Sequence, residues 1–114
     1  MTTTELREPS FLVLAALADG PKHGYAITVA AETISGGRVT LKAGTLYTAL
    51  ERLSGEGLIA SAGDEVVAGR LRRYYDLTDE GAALLAIEAS RLASRASQAQ
   101  ERLRARPITT AVTA

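Results

Sequence analysis

Polar side chains that could bind nucleic acid are concentrated on one side of the segment GTLYTALERL, which begins at Gly44. At 100° per residue, Leu46, Leu50 and Leu53 form an apolar stripe, and hydroxyl and guanidinium groups fall opposite the stripe or at its flank. Hydroxyls bond to phosphates or base edges, and arginine forks onto the O6 and N7 atoms of guanine. The polar set comprises Thr45, Tyr47, Thr48 and Arg52. A groove-reading helix explains this pattern, and so does a plain amphipathic helix with a solvated face, which Glu51 favours.

A cluster of arginines follows in a segment that predicts a β-hairpin. The cluster comprises Arg70, Arg72 and Arg73. Alternation along 71–77 is typical of a return strand, with Tyr75 on the packed face. Residues 62–69 are expected to form the hairpin tip, where the adjacent carboxylates Asp64 and Glu65 would be solvated. The arginines supply local positive charge of the kind that attracts phosphates.

Other side chains offer little chemistry. His23 is the single histidine and there is no cysteine, so a typical zinc site cannot be completed, and neither a metal nor a cofactor is expected. We expect His23 to bond to nearby backbone at a helix entry. The chain has no nucleophile–base pair and no phosphate-cradling loop, which disfavours an enzyme.

Composition sets broad limits on the chain. It has 114 residues with 13 basic and 13 acidic side chains, so its formal net charge is zero. Neutrality argues mildly against a nucleic-acid binder, since such domains are often basic. The absence of cysteine fits a reducing cytoplasm. No apolar run is long enough to span a membrane and the N-terminus lacks signal-peptide features, so we expect a cytoplasmic protein without membrane contact.

The order of predicted elements indicates a winged helix-turn-helix, mainly α with a small β-hairpin, followed by a long helix. Helices are predicted at 8–19, 23–35 and 43–54, strands at 58–60 and 71–77, and a final helix from 79 to about 105, capped by Thr78. The expected units are 1–78 for DNA binding, 79–106 as a dimerisation helix and 107–114 as a flexible tail.

The last helix carries a heptad pattern. Apolar residues recur at spacings of three and four, which is the seam of a coiled coil. The seam comprises Ala82, Leu85, Ala89, Leu92, Ala96, Ala99 and Leu103. The seam could pack on the chain's own first helix or on a second copy. Pairing with a second copy explains the length better, because such a helix reaches well beyond a small domain.

Three ordered motifs carry a resemblance to a known family, and together they cover nearly all of residues 9–85. They are GPKHGYAI from Gly20, GTLYTALERL from Gly44 with GLI from Gly57, and RRYYDLT from Arg72 with Gly81. The chain resembles the PadR-like transcriptional regulators in their short form with a single C-terminal helix. The resemblance implies a homodimeric repressor that binds double-stranded DNA at an inverted-repeat operator.

The resemblance also implies roles for particular residues. The DNA-facing set is Tyr25, Lys42, Thr45, Tyr47, Thr48 and Arg52, with Arg70, Arg72 and Arg73 as wing contacts. The dimerisation set is Phe11, Leu14, Leu85, Ala89, Leu92, Ala96, Ala99 and Leu103. The small-molecule effector pocket that some members have would comprise Phe11, Ala15, Glu88 and Leu92. Leu92 stands where an aromatic side chain often stacks on that ligand, so the cavity is expected to be closed or to take an aliphatic ligand.

A second function class remains open at this point. Neutral charge, Glu51 and the two carboxylates of the hairpin also fit a winged helix that has lost DNA binding. Such a protein-interaction module would bind a partner through the heptad seam.

Overall fold

The computed structural model describes residues 6–108, which fold into four helices and one three-stranded antiparallel sheet. The elements are α1 Glu8–Ala16, β1 Lys22–His23, α2 Gly24–Ile34, α3 Ala43–Gly55, β2 Ile59–Val67, β3 Arg70–Leu77 and α4 Asp79–Ala105. Three helices, a hairpin and a long helix confirm the predicted winged helix-turn-helix. Within the described chain, none of the helices is long and apolar enough to cross a membrane. Residues 109–114 of the predicted tail lie outside the described residues.

The core is built around α1, which is buried on nearly all sides. Val13 and Leu14 are completely buried, and Leu12 on another face is almost as inaccessible. The helix is buried on several faces because it packs against α2, α3 and α4 together. Its end at Ala16, earlier than the predicted 19, reflects a turn that precedes Gly20. On α3 the predicted stripe is confirmed, since all three of its leucines lie in the core.

The sheet contains a strand that the sequence did not reveal. β1 has two residues and pairs with β3, so that Lys22 lies opposite Tyr75 and His23 opposite Tyr74. The strand order is β1-β3-β2. Two residues are too few to show the alternation by which a strand is recognised. Tyr75 packs against the core, as predicted.

The hairpin of β2 and β3, called the wing below, is longer than predicted. Residues 62–69 are not a loop, because β2 continues to Val67 and only Ala68 and Gly69 form the tip. Both tip residues have positive φ, 53° and 76°, as expected for a two-residue turn that matches the twist of the strands. Asp64 and Glu65 therefore lie within a strand, not at a solvated tip.

The start of α4 is hydrogen-bonded to the connection between α3 and β2. The Thr78 hydroxyl accepts from the Gly81 N–H at 3.0 Å and donates to the Gly57 carbonyl at 2.7 Å, which confirms the predicted cap. The Thr78 N–H donates to the Leu58 carbonyl at 3.1 Å. A Cβ on Gly81 would lie 2.0 Å from the same carbonyl oxygen. Only glycine allows α4 to leave the domain at this angle.

Most of α4 extends away from the rest of the protomer. The helix has 27 residues, which is about 40 Å of length. Leu85 is half-buried against the core, whereas the seam from Ala89 to Leu103 is exposed. The alternative that the whole seam packs on α1 is therefore wrong for the described protomer, because α4 projects beyond α1.

Candidate nucleic-acid interface

A groove runs between α3 and the N-terminal end of α1, and it has a volume of about 460 Å³. Its polar lining residues, which define the α3 groove, are Arg7, Ser10, Thr45, Thr48 and Arg52. Three of these were predicted from the helical wheel. Arg7 and Ser10 were missed because they are distant in sequence and carry no periodic signal. The groove thus combines two guanidinium groups with the exposed hydroxyls of Thr45 and Thr48, a set suited to phosphates and base edges, whereas Ser10 is buried.

Tyr47 lies on the other flank of α3, in a larger depression of about 900 Å³ beneath the wing. This wing cleft is lined by both α-helical tyrosines and by all three wing arginines, among other residues. These members are Tyr25, Tyr47, Arg70, Arg72 and Arg73. The Tyr25 side chain is 74% exposed and that of Tyr47 is 57% exposed. Apart from Lys42, the predicted DNA-facing residues therefore line two neighbouring surfaces on either side of α3.

The Tyr47 hydroxyl approaches the start of α2. A Cβ on Gly24 would lie 3.4 Å from the Tyr47 hydroxyl oxygen. The phenol ring therefore lies against the start of α2, and Tyr47 also lines the wing cleft.

Lys42 is the N-cap residue of α3, is exposed, and forms no capping hydrogen bond with its side chain. A cation at this end opposes the helix dipole, which favours negative charge there. Packing within the protomer gives no reason for a lysine at this position. An external phosphate would give one, because it interacts favourably with both the ammonium group and the dipole.

Two of the three wing arginines lie opposite acidic residues across the hairpin. Arg73 lies opposite Asp64 and its Nε atom is 3.6 Å from Asp64 Oδ1. Arg72 lies opposite Glu65. Arg70 lies opposite Val67, which has no charge. The positive charge of the wing is thus offset at two of its three sites.

The histidine has a structural position. Its Nδ1 atom accepts a hydrogen bond from the Ala26 N–H at 3.3 Å, which confirms the predicted helix-entry role of His23. Its ring meets the Tyr74 ring edge-on, with centroids 5.4 Å apart. The Tyr74 hydroxyl donates a hydrogen bond to Glu65 Oε1 at 2.8 Å, and this bond is the main reason that the pKa of Tyr74 is raised. Among residues 6–108, no three potential ligands are grouped to hold a metal ion.

The residues assigned to dimerisation have different surroundings. Leu14 is completely buried within its own protomer, so its assignment as a dimer contact needs correction: it belongs to the core. Phe11 and Leu85 are half-buried. The other five members are exposed along one side of α4 and could meet a second chain. They are Ala89, Leu92, Ala96, Ala99 and Leu103.

A cavity of about 400 Å³ lies where α1 and the end of α2 meet α4. Phe11, Glu88 and Leu92 from the expected effector set line it, but Ala15 does not and is a correction to that set. Glu88 is 5% exposed and its carboxylate accepts a hydrogen bond from Arg91 at 3.2 Å. Arg38 also lines the cavity, so it presents charged as well as apolar groups.

Comparison with curated proteins gives a relative of greater length. An uncharacterised 37.1 kDa protein in transposon Tn4556 of Streptomyces fradiae is 45% identical over 86 residues. The match covers 75% of this chain and 23% of that protein. The chain therefore corresponds to less than a quarter of the relative.

Comparison with solved structures gives similar winged helices. A PadR family transcription regulator from Clostridium difficile is 30% identical, with a TM-score of 0.70 and coverage of 85% of this chain and 99% of its own. A PadR family regulator from Eggerthella lenta is 29% identical, with a TM-score of 0.65 and coverage of 82% and 80%. Bacillus subtilis PadR, solved in complex with operator DNA, shares the fold at 24% identity and a TM-score of 0.61, with coverage of 95% of this chain and 54% of its own.

A family model supports the same relationship. The model of the transcriptional regulator PadR-like family matches residues 13–87, which include α2, α3, the wing and the start of α4. All three motifs that carried the resemblance fall inside this range. The chain belongs to the PadR-like family of transcriptional regulators.

Proposed function

We propose that this regulator is a homodimeric repressor that binds an inverted-repeat operator. The observation that carries the proposal is the position of the α3 groove and the wing cleft on either side of one exposed helix. Together they present hydroxyls, two exposed tyrosines and arginines from both surfaces outside the apolar core. In winged helices of this type, such a helix enters the major groove and the wing contacts the adjacent backbone.

A relative supports DNA as the partner. Bacillus subtilis PadR was solved with operator DNA and has the same fold. We assign base contacts to Thr45, Thr48 and Arg52, whose groups can bond base edges. Lys42 and the wing arginines take phosphate contacts, which set orientation and affinity but carry no sequence information directly. Tyr25 and Tyr47 border the same surface.

The exposed half of α4 supports a dimer. Most helical stability in proteins comes from the packing of an apolar face, and the exposed part of α4 has no such packing within its own protomer. The exposed seam would pack against the seam of a second α4, and its alanines would allow close approach. Two recognition helices related by a two-fold axis would then meet half-sites about 34–36 Å apart.

The cavity beside Glu88 supports release of DNA by a small-molecule effector. It lies against α4 and α1, so a ligand there could change the angle at which the dimer holds its two winged helices. Leu92 and Phe11 offer apolar contact, and Leu92 gives no aromatic ring for stacking. Such a regulator would act in the cytoplasm, where it reaches chromosomal DNA, and the proposal includes no catalytic step.

The experiment that tests the proposal is selection of genomic DNA fragments by the purified protein at moderate salt. We expect a few fragments that share an inverted repeat, with affinity that falls steeply as salt rises. Thr48→Ala should then alter sequence preference, whereas Arg70→Ala should weaken all duplexes about equally. Affinity that did not respond to salt would contradict the proposal.

One observation favours a second candidate, a winged helix that binds a protein partner instead of DNA. The acidic residues opposite Arg72 and Arg73 reduce the positive field of the wing. Under this alternative, the protein would ignore DNA even at low salt. It would form a specific complex through the seam of α4.

A further inference from the structure

We infer that Asp64 and Glu65 are affinity-setting residues of the DNA interface, because each offsets a wing arginine in the free protein and limits its attraction for phosphate. The inference rests on the proposed function and deepens it. It assigns a role to two acidic residues that the DNA-facing set leaves out.

The first arginine is offset by a direct ion pair. Asp64 and Arg73 are register partners on β2 and β3, and their charged groups approach to 3.6 Å. Both side chains remain about half exposed. Exposed pairs contribute little to stability, so the Asp64 carboxylate is not needed to hold the hairpin together. A phosphate can replace it as the partner of Arg73.

The second arginine is offset through a hydrogen-bonded carboxylate. Glu65 is the register partner of Arg72, and the Tyr74 hydroxyl donates to its Oε1 atom at 2.8 Å. Tyr74 is in turn packed edge-on against His23 of the neighbouring strand β1. This chain of contacts fixes the Glu65 carboxylate on the face of the wing that Arg72 shares. Its negative charge persists there when Arg72 turns toward a ligand.

The two carboxylates also lower the net charge of the whole wing. Between Ile59 and Leu77 there are three arginines and three acids, so the wing has no net charge. The third acid, Asp76, lies at the base opposite Ala60 and bonds to the Leu77 N–H. The two acids near the tip are therefore the ones that face the wing cleft arginines. Arg70 has no acidic register partner. Its charge is therefore the one in the wing that no carboxylate across the hairpin offsets, and it remains available to a phosphate.

The expected consequence is a uniform change in affinity. Phosphate contacts carry no sequence information directly, so removing the two carboxylates should strengthen binding to every duplex by a similar factor. Charges at the rim of an interface mainly change association rate and salt dependence. Selectivity between operator and other DNA should stay the same.

The experiment compares the full-length protein with Asp64→Asn/Glu65→Gln, which removes charge with little change in shape. Fluorescence anisotropy measures binding to the selected operator duplex and to a scrambled duplex over a salt series. The matched control is Glu32→Gln/Glu56→Gln, which changes net charge equally at exposed positions outside both surfaces. Thermal unfolding of all three proteins checks that the wing variant is folded.

We expect the wing variant to bind both duplexes about tenfold more tightly at low salt. The logarithmic salt slope should steepen by about 0.9 for each additional phosphate that the freed arginines neutralise. The control should resemble the wild type. Affinity and slope equal to those of the control would overturn the inference while leaving the proposed function intact.

Two further outcomes also decide the matter. A loss of operator affinity alone would overturn the inference by showing that the carboxylates contact bases directly, as acids can with cytosine N4. If wild type and wing variant both ignored both duplexes at low salt, the proposed function and the inference would fail together. The scrambled duplex keeps the test valid even without a selected operator.

Discussion

Gly81→Ala is the substitution whose effect is most directly determined by the geometry. The added Cβ would lie 2.0 Å from the Leu58 carbonyl oxygen and 2.9 Å from Leu77 Cδ1. Close carbon–oxygen contacts in proteins lie at about 3.3–3.6 Å, so α4 or the Leu58 carbonyl must move by more than about 1 Å. The obstacle on one side is backbone, which cannot rotate away as a side chain can.

The magnitude follows from what that movement disturbs. Overpacking costs about 1–3 kcal/mol. The shift also stretches the hydrogen bond from the Thr78 N–H to the Leu58 carbonyl, worth about 1 kcal/mol. Alanine recovers about 1 kcal/mol of helix propensity. We expect a net loss of about 1–3 kcal/mol in the free energy of unfolding.

The assay is urea unfolding followed by circular dichroism, at one protein concentration because a dimer makes stability concentration-dependent. Gly55→Ala is the matched control: Gly55 is also helical, and its added Cβ would meet nothing within 4 Å. The control should equal the wild type or exceed it by up to about 1 kcal/mol. If Gly81→Ala were as stable as the control, the close approach of α4 to the Leu58 carbonyl would be refuted.

Three further predictions concern the wing and α4. Ala68→Asn should stabilise the protein by about 0.5–1 kcal/mol in thermal unfolding, because Ala68 has φ of 53° and asparagine tolerates this conformation better; no increase in stability would contradict the tip geometry. Glu65→Gln should lower the raised pKa of Tyr74, measured by phenolate absorbance, because the Glu65 hydrogen bond favours the neutral phenol. The contribution of that bond to the stability of the folded protein should be complete below the ordinary tyrosine pKa and disappear as pH rises through the raised pKa. An unchanged Tyr74 titration in the variant would argue against the bond. Leu103→Glu places a charge on the exposed seam and should shift the protein toward monomer in analytical ultracentrifugation. The control variant Glu101→Gln should keep the oligomeric mass of the wild type.

Local periodicity was enough to predict several elements of this protein. The α3 stripe of Leu46, Leu50 and Leu53 and the Thr78 cap depend on residues within a few positions of each other. Their spacing along the chain maps directly onto one face or one turn of a helix. The order of elements then left the winged helix as the architecture, and three motifs at fixed positions indicated the family.

The tertiary structure decided which distant groups meet. It placed Arg7 beside α3, set Asp64 opposite Arg73 and brought Gly81 against the Leu58 carbonyl. None of these juxtapositions has a local periodic signal, because each depends on the register of a hairpin or on the angle between two packed elements. The same reason explains the error over Leu14, since periodicity can identify an apolar side chain but only the packing of α2, α3 and α4 decides whether it faces its own core or a second chain.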